Sequence, residues 1–162
     1  MISPDQNDQS DGEREQRMQR RSRRPDPEFL PGELLYLRCA NSNLDPTDNK
    51  RLFADQIKFY PDQSVNRGKY SEQEDVLYPN YLKFGIARFQ VQHIPSELKS
   101  DGGILFQWRM EHRPVEENYA HSEIWTHKSG EHITNAELPK GIKKQFRQIL
   151  SEGAEVIEQP KV

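Results

Sequence analysis

The chain has 162 residues, 33% of them hydrophobic and 30% charged; 23 Lys and Arg against 26 Asp and Glu leave a formal net charge of −3. At roughly 150 residues per domain this length fits one domain, and no run approaches the roughly 20 apolar residues of a membrane span. The single cysteine, Cys39, excludes an intrachain disulfide framework and a multi-cysteine zinc site, and points to a reducing, cytoplasmic compartment.

Residues 1–28 are expected to be disordered. Beyond Met1 and Ile2 their one apolar side chain is Met18, too little to offset the entropy of ordering. They also lack the apolar core of a secretory signal. Arg14, Arg17, Arg20, Arg21, Arg23 and Arg24 follow an acidic start. In a helix, Arg17, Arg20, Arg21 and Arg24 would share one face, a surface suited to phosphates. The plain alternative is a solvated tail. Pro25-Asp26-Pro27-Glu28 reads as an extended linker, and a globular domain is placed at 29–162.

Within that domain, 33–39 reads as a strand, 41–51 as a loop of turn formers, and 56–60 as a second short strand. Residues 61–80 are polar with little periodicity, and read as a long connection. The clearest strand spans 81–94. Its apolar phase slips near Ala87, which predicts a bulge beside Gly85. Residues 104–112 and 119–127 alternate and are expected to pair as a hairpin. Pro139 opens a helix in which Ile142, Phe146, Ile149 and Leu150 recur at helical spacing, with Gly153 as its cap. Residues 154–157 read as a final strand. The expected fold is a single α+β domain with a mixed or antiparallel sheet, one main C-terminal amphipathic helix and a disordered N-terminal tail.

Four of the five histidines, His112, His121, His127 and His132, fall between residues 112 and 132. On a strand, Tyr119, His121, Glu123, Trp125 and His127 project to one face. Antiparallel pairing with 104–112 would bring His112 close to Tyr119 or His121. His121, Glu123 and His112 are therefore the candidate catalytic residues. They suit general acid–base work, because imidazole titrates near neutral pH and a carboxylate orients it. They also form a possible 2-His-1-carboxylate metal set, although neither a metal nor any other cofactor is required. The plain alternative is a polar strand face with its histidines stacked on Tyr119 and Trp125.

The stretch 64–71 offers Ser64, Asn66 and Arg67 as phosphate contacts on a glycine-containing loop. It lacks the spacing of a P-loop. Arg38 is a further candidate phosphate contact, since a charge inside an apolar strand needs a partner. Cys39 has no activating base beside it in sequence and reads as a small buried residue. His121-Ser122-Glu123 opens like a deaminase signature, but the Pro-Cys-x-x-Cys that must follow is absent.

The order Arg38, Ser64, Glu123 resembles the Arg…Ser…Glu order of ADP-ribosyltransferase-type domains. That resemblance implies an arginine and a serine that handle a dinucleotide and a glutamate that handles its ribose. It covers three residues. Ser64 stands in a loop-like stretch instead of a Ser-Thr-Ser strand, and His121 replaces the second Glu or Gln. Two functions follow from these residues. One is a small cytoplasmic binding module for a nucleic acid or an acidic partner protein, with the N-terminal arginines adding electrostatic affinity. The other is a nucleotide-handling enzyme, ADP-ribosyltransferase-like or a phosphate-ester hydrolase, using the His/Glu pair and arginine phosphate contacts.

Overall fold

Apolar residues at every second position, from β-branched, aromatic and leucine side chains, favour strands that bury one face. The computed structural model describes residues 12–19, 23–57, 62–133 and 138–161. Residues 12–18 form α1. The strands are β1 (Leu34–Cys39), β2 (Leu44–Asp45), β3 (Asp48–Leu52), β4 (Asp62–Arg67), β5 (Gly85–Gln90), β6 (Glu97–Lys99), β7 (Leu105–His112), β8 (His121–Lys128), β9 (Glu131–His132) and β10 (Glu155–Glu158). The second helix, α2, spans Lys140–Gly153. The main sheet runs β10-β5-β1-β4-β8-β7-β6, with β9 against β8, and β2-β3 form a separate ribbon. Every strand pair among the described residues is antiparallel. The α+β architecture with one main C-terminal helix is the one expected.

One face of the sheet forms the core. Leu35, Val65, Phe89, Phe106, Trp108 and Ile124 are buried against Ile142, Phe146 and Leu150 of α2. The rings of Trp108 and Phe146 meet at 4.5 Å. Each such side chain contributes about 1.5–3 kcal/mol when removed from water. A smaller cluster on the opposite face joins Val76, Leu77 and Ile86 with the partly buried Tyr36. It seats the short 3-10 turn Gln73–Val76 over the outer surface of the sheet.

Several expectations change. Residues 41–51 are not a loop throughout, because β2 and β3 pair across a turn in which Asp45 accepts from both the backbone N–H and the hydroxyl of Thr47. The polar stretch 61–80 contains β4, whose sequence DQSVNR buries one apolar residue, Val65, and so hides its alternation. The long strand at 81–94 shortens to β5. Tyr81, Leu82 and Phe84 are exposed, and Val91–His93 is a 3-10 turn. The irregularity predicted near Ala87 falls instead in β10. Its register slips between Val156 and Glu158, opposite Ala87 and Ile86, while β5 pairs with β1 without a break.

Glycine serves close approach at two of these places. A Cβ on Gly85 would stand 2.4 Å from the Glu158 carbonyl oxygen, and one on Gly153 would stand 2.6 Å from the His93 side chain. Gly153 is thus the last residue of α2 and not a left-handed cap; the cap is Ala154, in extended conformation. Of the strand expected at 56–60, residues 58–60 lie outside the described residues, and Gln56 closes a 3-10 turn.

Within 1–28, the described residues lie against the domain. The Met18 carbonyl accepts the Tyr119 N–H at 2.7 Å, and the Arg24 carbonyl accepts the Tyr119 hydroxyl. Arg20 and Arg21 fall outside the described residues.

Candidate functional site

The three neighbouring strands β1, β4 and β8 place alternate side chains on the face away from α2. Tyr36 stands opposite Asn66, Asn66 opposite His121, and Ser64 opposite Glu123. The same alternation adds Arg38 and Trp125. The Ser64 expected on a loop is therefore on a strand, directly beside the glutamate.

His121 is held in one tautomer. Its Nδ1 lies 2.7 Å from the Arg113 carbonyl oxygen, and a carbonyl only accepts, so Nδ1 carries the proton. Nε2 of the neutral ring is then an acceptor, 3.3 Å from Ser64 Oγ. Glu123 Oε1 accepts the Trp125 indole N–H at 2.9 Å. Arg113 lies over the Trp125 ring at 5.2 Å, and His132 stacks on that ring at 4.0 Å. Glu111 is paired with Glu123 across β7 and β8.

Two hollows flank these groups. Tyr36, Arg38, Ser64, Asn66, Val76 and His121 line a cavity of about 10 Å³, the size of one water or one ligand oxygen. Arg38 lies over the Tyr81 ring at 3.7 Å and approaches the Val76 carbonyl at 3.4 Å. Burial lowers the pKa of its guanidinium. A wider cleft of about 340 Å³ opens beside Pro25, His112, Arg113, Pro114, His121 and Glu123. His121 belongs to both.

His112 does not join the His121/Glu123 face. It pairs with Ser122, so it shares the core phase of β7. Both ring nitrogens are occupied: Nδ1 accepts the Asp26 N–H at 2.8 Å, and Nε2 meets the Tyr119 carbonyl at 2.6 Å. The ring stacks on Tyr70 and meets Tyr119 edge-on. Burial pushes its pKa below the ordinary histidine value. The proposed set of His112, His121 and Glu123 as metal ligands is therefore not assembled. Among the described residues, no group of three His, Cys, Asp or Glu side chains could hold a metal ion.

Arg67 is not a phosphate clamp. It sits on the core phase of β4 with no exposed surface. Its guanidinium donates to both Glu33 carboxylate oxygens at 2.7 and 2.8 Å and to the Asp26 and Glu28 carbonyls at 2.6 Å each. It also packs on the Phe29 ring at 3.8 Å. Arg17 is likewise engaged: it donates twice to Asp75, which also accepts from Arg14. The bond to Asp75 raises the Arg17 pKa. Cys39 is buried as expected, which pushes its thiol up to about 11.

The sequence reading missed Tyr36, Asp75 and Arg113. The part Arg113 plays comes from a main-chain carbonyl, which any residue supplies and no motif announces. Asp75 sits in an aperiodic polar stretch. No family model, curated protein or solved structure matches the chain. Among the described residues, no helix is long and apolar enough to cross a membrane.

Proposed function

We propose that the chain is a nucleotide-handling enzyme acting on a phosphate ester, with its site on the outer face of β1, β4 and β8. One observation carries this reading: Arg38, Ser64, His121 and Glu123 arrive from three adjacent strands on a single face, around two hollows that share His121. An imidazole whose Nδ1–H is held by a carbonyl, leaving Nε2 toward the serine, is suited to move a proton. Glu123 accepts hydrogen bonds and is suited to a ribose hydroxyl. Arg38 in the cavity and Arg113 in the cleft supply positive charge for phosphate oxygens. The Arg…Ser…Glu order supports the same ligand class, since its three residues occupy neighbouring strands. The buried thiol of Cys39 suits a reducing, cytoplasmic compartment.

The binding-module reading, in which the N-terminal arginines hold a nucleic acid or an acidic partner protein, is less favoured because Asp75 already engages Arg14 and Arg17. Calorimetry with ADP, ATP and a dinucleotide tests the choice. Glu123→Gln should weaken ribonucleotide binding about 10- to 100-fold, the loss of a hydrogen bond to a charged group. Wild-type protein that binds none of the three, or a folded variant with unchanged affinity, ends the proposal.

A further inference from the structure

We infer that Ser64 is a nucleophile, activated by His121, that forms a covalent phosphoseryl intermediate. The inference rests on the site reading above for its substrate class and goes further by assigning the bond-making atom.

Three features of the geometry combine. First, Ser64 Oγ and His121 Nε2 stand at 3.3 Å, just beyond the usual contact between a nucleophile and its base and within the looser range seen without substrate. Second, the Arg113 carbonyl holds His121 Nδ1–H at 2.7 Å. It does the orienting work that a carboxylate does in a three-residue triad, because it compels Nε2 to present its lone pair to the serine. Third, Ser64 is exposed, while Arg38 lines the cavity against which it sits. A strand serine whose role was only to pair the sheet would need neither a tautomer-locked imidazole nor a guanidinium beside it.

The step balances on these groups. Ser64 Oγ attacks the phosphorus of a phosphodiester, and its proton passes to His121 Nε2. The bond from phosphorus to the departing ester oxygen breaks on the side opposite Ser64, and the leaving alkoxide takes its proton from solvent while Nε2 keeps the serine's. A water molecule then attacks the phosphoseryl phosphorus from the vacated side and gives its proton to solvent; the bond to Ser64 Oγ breaks as Nε2–H returns the proton to it, which releases a phosphomonoester and free Ser64. Arg38 stabilises the charge that grows on a nonbridging oxygen placed in the small cavity.

A fluorophosphonate probe tests this with the full-length chain and needs no known substrate. The probe phosphorus takes Ser64 Oγ and loses fluoride. Peptide mass spectrometry is expected to place the adduct on Ser64, Ser64→Ala to lose it, and His121→Gln to slow it by at least about 100-fold. Absence of the adduct from Ser64 in folded wild-type protein overturns the inference, however the variants behave. So does an unchanged labelling rate in a folded His121→Gln protein. Nucleotide calorimetry on the same samples separates the two proposals. Binding without Ser64 labelling leaves the site reading standing and removes the nucleophile; labelling without nucleotide binding keeps the nucleophile and removes the nucleotide.

Discussion

The backbone N–H of Asp26 donates to Nδ1 of His112 at 2.8 Å, which ties the segment ahead of β1 to the end of β7. The imidazole meets the Tyr119 carbonyl through Nε2, so it is neutral with Nε2–H. A second proton on Nδ1 would face the Asp26 N–H and break the tie. Burial already holds the His112 pKa below its ordinary value, against the raising bond from Tyr119; Arg67 lowers it further, while Asp26 and Glu33 raise it. The unfolded imidazole titrates near about 6.5. Below that pH the unfolded chain takes the proton first, so stability is full above about 6.5 and falls as the solution is acidified. His127 shifts the same way, by burial and then Arg109. Asp26 adds a later step. Bonds from Tyr70 and Lys69 hold its carboxyl well below the usual range, so its contribution is present above about 3.9 and lost below. Thermal unfolding from about pH 8 to about pH 2 should show Tm level at first, then declining below about 6.5 and again below about 3.9. His112→Gln keeps an acceptor and a donor without the charge, and should flatten the decline without removing it. An identical profile in that variant would refute the role of His112.

Arg67 and Glu33 form a buried bidentate pair. Removing one partner strands the other charge in low dielectric, which costs about 3–5 kcal/mol. Glu33→Gln and Arg67→Met should each lose stability on that scale in urea unfolding, and the double variant should lose less than their sum. A loss below about 1 kcal/mol for Arg67→Met would mean that the pair is effectively solvated.

Gly85 and Gly141 make a matched comparison. Ala at 85 drives its Cβ into the Glu158 carbonyl and Pro160, main-chain and ring atoms that move only if β10 moves. Gly85→Ala should destabilise the fold by about 1–3 kcal/mol and deprotect β10 amides in hydrogen exchange. Gly141 has nothing within 4 Å of its would-be Cβ. Gly141→Ala at the start of α2 should be neutral or stabilising by up to about 1 kcal/mol.

Arg17→Ala separates a structural role for the N-terminal arginines from an adhesive one. Asp75 is 1% exposed, and the variant removes two of the bonds that its carboxylate accepts. Stability should fall by about 1–3 kcal/mol. Any nucleic-acid binding should keep its dependence on salt. A slope of log K against log salt that drops by about 0.9 would instead assign Arg17 to a phosphate contact.

Much of the fold was legible in the sequence. The pairing of 104–112 with 119–127 and the C-terminal helix followed from period and turn residues, since those patterns are local and strongly amphipathic. β4 was not legible, because a strand that buries one apolar residue between a polar outer face and a buried arginine has no alternation to read. His121 and Glu123 were correctly placed on one face, since side-chain direction on a single strand follows from parity alone. His112 does lie against Tyr119, as the expected pairing implied, but it does not share the face of His121 and Glu123, because the register sets it opposite Ser122.

What the sequence by itself determined, then, is everything carried by neighbours along the chain: the strand period around His121 and Glu123, the stripe on α2, the burial of Cys39. Tertiary structure alone decided that β4 lies between β1 and β8, that His112 pairs with Ser122, and that Arg67 turns inward onto Glu33. The reason is physical. Register between strands is set by packing and hydrogen bonds among residues far apart in sequence, and a slip of one residue sends a side chain to the opposite face.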